Sequence, residues 1–409
     1  MPELTAACPD AATVPGLTLA AVIRVHEAAF MDRFGVGLTT VQRRALADLA
    51  ACRTETLGGH LWRCQDCGHQ RVLYNSCRNR HCPTCQASVR ATWLTREASW
   101  LLPVEYHHVV FSLPAAVAEV ALANPTVVYG LLFQAARATL REVAADPKYL
   151  GAQVGVVAVL HTWGQNLHHH PHLHCLASGG GLSCDRSGRV DEQPQWRSCR
   201  PGFFLPVRVL SRVFRGKFLA LLRQAQERGE LALVGRLASL AEASAFASWL
   251  RPLYGSDWVV YSQPPAAGPE VVLKYLSRYV HRSAISNGRL VSVTAEEVSF
   301  TWKDYAHGGK ERVLTLSGEE FLRRWVQHVL PKGFVKVRHY GLLASHGREE
   351  KLAACRWQLL LLGLSAAASA GSASVGGVLS PWPGPCCPAC GSLTWRKDPE
   401  VARASSDTS

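Results

Sequence analysis

Residues 155–182 read GVVAVLHTWGQNLHHHPHLHCLASGGGL. An apolar run ends in His161, a polar connector follows, and a second apolar run carries His172 and His174 before stopping at three glycines. This is the pattern of two adjacent strands with histidines near their joined ends. Side chains alternate along a strand, so His172 and His174 share one face while Leu173 and Cys175 take the other. His161, ending the neighbouring strand, is placed to face that pair. Three imidazoles converging on one point outline a metal site. The intervening run His168-His169-His170 reads as an ordinary solvated loop.

The surrounding chain sets the class of partner. It has 409 residues, room for two or more domains. Its net charge is +13 and its pI about 9.3, an excess that favours a polyanion, nucleic acid before membrane. The opening MPELTAACPDAATV lacks a basic region followed by an apolar core, and no stretch reaches the ~18 apolar residues of a spanning helix. Fourteen cysteines in such a chain point to thiols and metal rather than disulfides.

The cysteines cluster early. Cys64 and Cys67 form one CxxC pair, and Cys82 and Cys85 another, 15 residues further on. Four thiolates so spaced are expected to hold one tetrahedral zinc. Cys52, His60, Cys77 and His81 are left for a second, interleaved site, or Cys77 or His81 replaces one of the four. The segment is too short for much of a core, so metal is expected to fold it. From Cys52 to Arg96 there are seven arginines against Glu55 and Asp66, and Arg78 and Arg80 flank the second pair. Arginines beside Tyr74 on a zinc-held platform suit phosphates and bases. A later pair, Cys387 and Cys390, has no second half nearby; Cys355 or a partner molecule are the sources left open, and Cys386 is an alternative to Cys387.

The predicted elements alternate. Two helices fill residues 16–51 and an amphipathic helix 86–101. EYHHVVFSLP reads as a buried strand, and residues 125–145 as a long helix. Further helices follow from 206 and about 235, with a short strand at DWVVYSQPP. GPEVVLKYLSRYVHRSAISNGRL, residues 268–290, opens with proline in the first turn of a helix. Tyr275 and Tyr279 are four apart and share a face, flanked by Lys274, Arg278 and Arg282. A hairpin turning at His307-Gly308-Gly309 comes next, then a helix. The strand GFVKVRHYG is read as placing Lys336, Arg338 and Tyr340 on one face, suiting a single-strand groove. Residues 365–385 are a low-complexity linker, and the last twelve read as disordered. The fold class is α+β: an N-terminal helical and zinc-ribbon-like domain (1–101), a domain with a central antiparallel sheet and flanking helices (102–345), and a tail (346–409).

With NSCRNRHCPTC, HVVFSLP, VVAVLHTWGQNL, HPHLHCLASGGGL, YLSRYVHRSAISN and LPKGFVKVRHYG in view, the chain resembles transposases of rolling-circle insertion sequences, the IS91 family, within the HUH endonucleases. The likeness runs from about Ala50 to Tyr340. HUH denotes histidine, hydrophobic residue, histidine, here His172-Leu173-His174. The resemblance implies that His172 and His174 hold magnesium or manganese, with His161 as third ligand and Gln165 as the alternative. It implies that Tyr275 or Tyr279 attacks single-stranded DNA at the element's ends and target, leaving a 5′-phosphotyrosine. It also implies an N-terminal zinc domain and a bacterial, cytoplasmic, nucleoid-associated protein; a homodimer is left open. The competing readings are a replication initiator or relaxase with the same chemistry, and a zinc-ribbon DNA-binding regulator without it.

Overall fold

The computed structural model describes residues 17–263, 280, 283–364 and 386–401. It divides into two compact units. One comprises residues 1–87, 285–323 and 371–409; the other, residues 88–284 and 324–370.

The second unit is built on the quoted stretch. β4 (Ala152–Trp163) and β5 (His169–Ser183) pair antiparallel, and the sheet order is β11-β4-β5-β3-β7, with β6 (Trp196–Ser198) added to β5. β3 is Tyr106–Ser112, β7 Val260–Gln263 and β11 Val337–Gly341, all in antiparallel ladders. β4 and β5 are apolar on both faces because both are covered. One face carries Val109, Phe111, Ala158, Leu160, Leu173 and Cys175 into a large core. That core is completed by α4 (Ala115–Ala123), α5 (Pro125–Ala145), α6 (Val207–Glu227) and α7 (Ala243–Gly255). Pro125 opens α5 at a position where its missing N–H costs nothing. The other face carries Val157, Val159 and Leu176 into a second cluster with Trp93, Leu342, Leu352 and Leu359. Trp93 belongs to α3 (Pro83–Ala98), and Leu352 and Leu359 to an unpredicted helix, α9 (Arg348–Leu361). The triple glycine has a steric reason: a Cβ on Gly180 would come 2.6 Å from the Trp196 ring of β6.

The first unit holds α1 (Leu19–Phe34), α2 (Thr40–Ala50) and two three-stranded sheets. Thr39 and Gln42 form a reciprocal capping box at the start of α2. β8 (Leu290–Val293), β9 (Glu297–Asp304) and β10 (Lys310–Ser317) make one sheet, and Gly308 and Gly309 turn the β9–β10 hairpin at φ of 77° and 70°. α8 (Gly318–Val326) follows it. The other sheet has the order β12-β1-β2, from Gly59–Cys64 (β1), Gln70–Tyr74 (β2) and Trp395–Val401 (β12).

This corrects the expected tail. Residues 398–401, expected to be disordered, belong with 395–397 to a strand that lies antiparallel against β1, because β1 has a second edge to satisfy. The contacts therefore divide the chain at neither 101 nor 345, and residues 285–323 fall in the first unit. The linker 365–385 and the first 15 residues lie outside the described residues. Among the described residues no helix is long and apolar enough to cross a membrane.

Candidate metal centres and their surroundings

The β4–β5 register sets His161 directly opposite His172, with His174 opposite Val159. Opposed residues of an antiparallel pair share a face, so all three imidazoles stand together on the face opposite α5 and α6. Their ligating nitrogens lie within 4.8 Å of one another. The Nε2 atoms of His172 and His174 are 3.1 Å apart. Neighbouring ligands of an octahedral ion with bonds of ~2.1 Å would be ~3.0 Å apart, so the pair fits such an ion.

The nitrogens not aimed at that point are tied back. His172 donates from Nδ1 to the His170 carbonyl at 2.7 Å, which leaves Nε2 with a free lone pair. His174 Nδ1 meets His108 Nε2 at 2.8 Å, and the two rings stack within 10° of parallel. His108 comes from β3, two residues from Val110, which pairs with His174. Sequence reading passed over it because HVVFSLP reads only as a buried strand. Burial pushes both His108 and His172 down to about 4, so both are neutral at pH 7 and can bind metal or orient a ligand. His161 is also held flat, stacked on Trp163 with ring centres 4.5 Å apart.

Of the run read as a solvated loop, His168 is an exposed connector residue, but His169 and His170 belong to a strand and His169 is half-buried. β5 begins at His169, whose Nε2 meets the Tyr129 hydroxyl at 2.7 Å. The connector is residues 164–168, and it is pinned by His328, 3% exposed. His328 donates from Nε2 to the Leu167 carbonyl at 3.1 Å and accepts at Nδ1 from Thr162 at 3.2 Å. Burial drives His328 down to about 3. Its neutral form is the folded form, so protonation favours unfolding: stability present above pH 6.5 is lost as pH falls below it. At pH 5 this one group is expected to cost about 2 kcal/mol. Urea melts of wild type and His328→Gln at pH 7 and 5 check it; the pH-dependent loss is expected to shrink by about that amount in the variant.

Two further clusters are formed by cysteines, and their grouping differs from the expected one. Cys52, Cys77, Cys82 and Cys85 form one set; Cys64, Cys67, Cys387 and Cys390 form the other. Sγ separations are 3.6–3.7 Å in the first and 3.5–3.6 Å in the second. A zinc tetrahedron with ~2.3 Å Zn–S bonds has edges of ~3.8 Å, so both sets fit zinc. His60 and His81 belong to neither. Cys355, one expected mate for Cys387 and Cys390, is instead buried in the second core cluster, where burial raises its thiol to about 12.

The physical reason for the regrouping lies in two like knuckles. Cys64-Gln65-Asp66-Cys67-Gly68 and Cys387-Pro388-Ala389-Cys390-Gly391 both end in a glycine at positive φ, 74° and 75°. That turn aims following backbone amides at sulfur. Amides of Cys67 and Asp66 help bring Cys64 down to about 7, and the His69 amide serves Cys67. Cys82-Pro83-Thr84-Cys85 instead runs into α3, and its mates are Cys52 and Cys77. The amide of Arg78, itself at φ 54°, donates to Cys85.

The basic residues are scattered. Arg78 is exposed and Arg80 half-buried. Arg338 is not in an open groove with the histidines: its guanidinium lies 4.2 Å over the Phe133 ring of α5 and 5.4 Å over Phe334. Register places it opposite Ala158, on the face away from His161. Tyr340 shares that face and Lys336 is half-buried beside it in sequence. Tyr275, Tyr279, Lys274, Arg278 and Arg282 lie outside the described residues.

Two family spans found by comparison with known proteins cover most of these residues. A family described as a putative transposase matches residues 155–351, the span that holds the three histidines. A transposase zinc-binding domain matches residues 22–113, which includes six of the eight clustered cysteines and stops short of Cys387 and Cys390. The chain is 53% identical over 328 residues to a putative transposase, y4qJ, of Sinorhizobium fredii, covering 80% of each. It is 28% identical over 315 residues to the transposase for insertion sequence element IS801 of Pseudomonas savastanoi pv. phaseolicola, covering 76% of this chain and 72% of that one. No solved structure matches. The chain belongs to the IS91 family of insertion-sequence transposases, with a zinc-binding domain at its N-terminal end.

Proposed function

We propose that this transposase nicks and rejoins single-stranded DNA at element ends and target through a 5′-phosphotyrosine intermediate, as the enzyme of rolling-circle transposition. The observation that carries the reading is the histidine cluster, with His172 and His174 presenting Nε2 atoms 3.1 Å apart and their other nitrogens engaged. A divalent ion held by His161, His172 and His174 would polarise the scissile phosphate. Imidazole donors favour manganese over magnesium there.

The nucleophile in this reading is Tyr275 or Tyr279. Its phenolic oxygen bonds to phosphorus in line with the leaving 3′-oxygen, which departs as a hydroxyl after taking up a proton. The phenol, with a pKa near ~10, must lose its own proton, and Lys274, Arg278 and Arg282 supply the positive field that favours this. Val280, the sequence neighbour of Tyr279, is buried in the cluster that covers the histidine-bearing face. Two tyrosines permit two linked transfers without a double-strand break. The reading places this work in the bacterial cytoplasm, on nucleoid DNA, and leaves room for two copies acting together.

The test is covalent linkage. The purified chain, a single-stranded oligonucleotide bearing an element end and manganese should give a slow band on a denaturing gel. Tyr275→Phe with Tyr279→Phe is expected to abolish the band while DNA affinity stays within about threefold. Persistence of the band in that double variant would remove the tyrosine assignment.

A further inference from the structure

A second basic site lies away from the histidines. A cavity of about 340 Å³ opens between α5, β4, the 187–189 turn, β11 and α9. Its cations are Arg137, Arg141, Arg189 and Lys351, and among the described residues no carboxylate lines it. Arg137 and Arg141 are one helical turn apart on α5. Arg137 is braced over the Tyr340 ring at 5.6 Å. Lys351 is anchored from Nζ to the His346 carbonyl at 2.8 Å. The turn is held close by Gln153, whose amide donates to the Gly188 carbonyl at 2.6 Å.

The cavity thus offers clustered positive charge. The phosphate of a nucleotide answers it. The volume lies within the range of small-ligand sites. Position makes it distinct from the histidine centre. Gln153 is eight residues from His161 along β4, roughly 27 Å at ~3.4 Å per residue.

We propose that this cavity holds one nucleotide unit of a DNA strand, its phosphate on Arg141 and Arg189, as an anchor remote from the histidines. The proposal rests on the family's action on DNA, not on the tyrosine chemistry.

The test is DNA binding by the full chain, followed by fluorescence anisotropy from low to moderate salt. One arm uses a single-stranded oligonucleotide and the other the matching duplex. Arg141→Ala with Arg189→Ala removes two phosphate contacts. The log Kd–log salt slope for single strands should become shallower by about 0.7, the share of the one phosphate that both arginines hold. Affinity at low salt should fall at least tenfold. A change in either arm supports the anchor and tells which form of DNA it takes. Unchanged affinity and slope in both arms overturn it. Arg141→Lys with Arg189→Lys keeps the charge and should keep the slope; loss equal to the alanine variant's would assign the effect to misfolding and also overturn it. Manganese binding should be unchanged in the alanine variant, which separates this outcome from failure of the nuclease reading.

Discussion

His172→Ala is expected to abolish metal-dependent nicking, and added manganese is not expected to restore it. The residue is half-buried, near the joined end of β5 rather than in either apolar cluster, so its loss spares the fold. It removes one of three donors. His108→Ala is the informative contrast. That ring has no place in the donor set but fixes His174 through the 2.8 Å contact to Nδ1. Loss of such an orienting partner costs about 10–100-fold in metal affinity, and excess metal should recover activity. Manganese titration by calorimetry reads both variants without relying on turnover. Unchanged manganese affinity in His172→Ala would mean the ion is held elsewhere.

The second large effect concerns zinc. Wild type should carry two zinc ions per chain, one for each cysteine set. Cys387→Ser should lose one, and adding Cys64→Ser should lose no more, because both serve the same site. Cys64→Ser combined with Cys82→Ser should lose both. A pairing of Cys64, Cys67, Cys82 and Cys85 in one site predicts the reverse, so metal content by plasma emission spectroscopy decides between them. Loss of the ribbon zinc should also melt its sheet. β2 has no buried residue, and structural zinc supplies about 10–16 kcal/mol in comparable small domains. A chelator should strip this site first, since Cys67 and Cys390 are exposed while Cys52, Cys82 and Cys85 are buried.

The histidine centre was legible because it is local. Eleven residues separate His161 from His172, and strand alternation alone puts His172 and His174 on one face. His108 was not, since only the β3–β5 register brings it to His174. The first cysteine set was within reach, all four members falling between residues 52 and 85. Pairing each CxxC with its nearest neighbour obscured it. The glycine after Cys67 and after Cys390, absent after Cys85, was the signal that sorted them. Arg338 shows a different gap: alternation groups it with Tyr340 but does not say which face of the sheet holds α5. That takes the neighbouring helices, and there its guanidinium stacks on Phe133 instead of lining the histidine site.

The ribbon's closing knuckle imposes an order in time. Cys387 meets Cys67 across 320 residues of chain. At ~5–20 residues per second, a ribosome that has made Cys67 needs roughly 15–65 s to make its mate. Throughout that interval half of the site is a pair of reactive thiols on a nascent chain, while the four cysteines of the other set are already complete by residue 85. The first site can mature as soon as Cys85 is made, and the second only after Cys390. A copy of the element interrupted just before the codon for Cys387 would therefore keep every histidine and tyrosine of the nuclease reading, yet yield a protein in which Cys64 and Cys67 never find their partners.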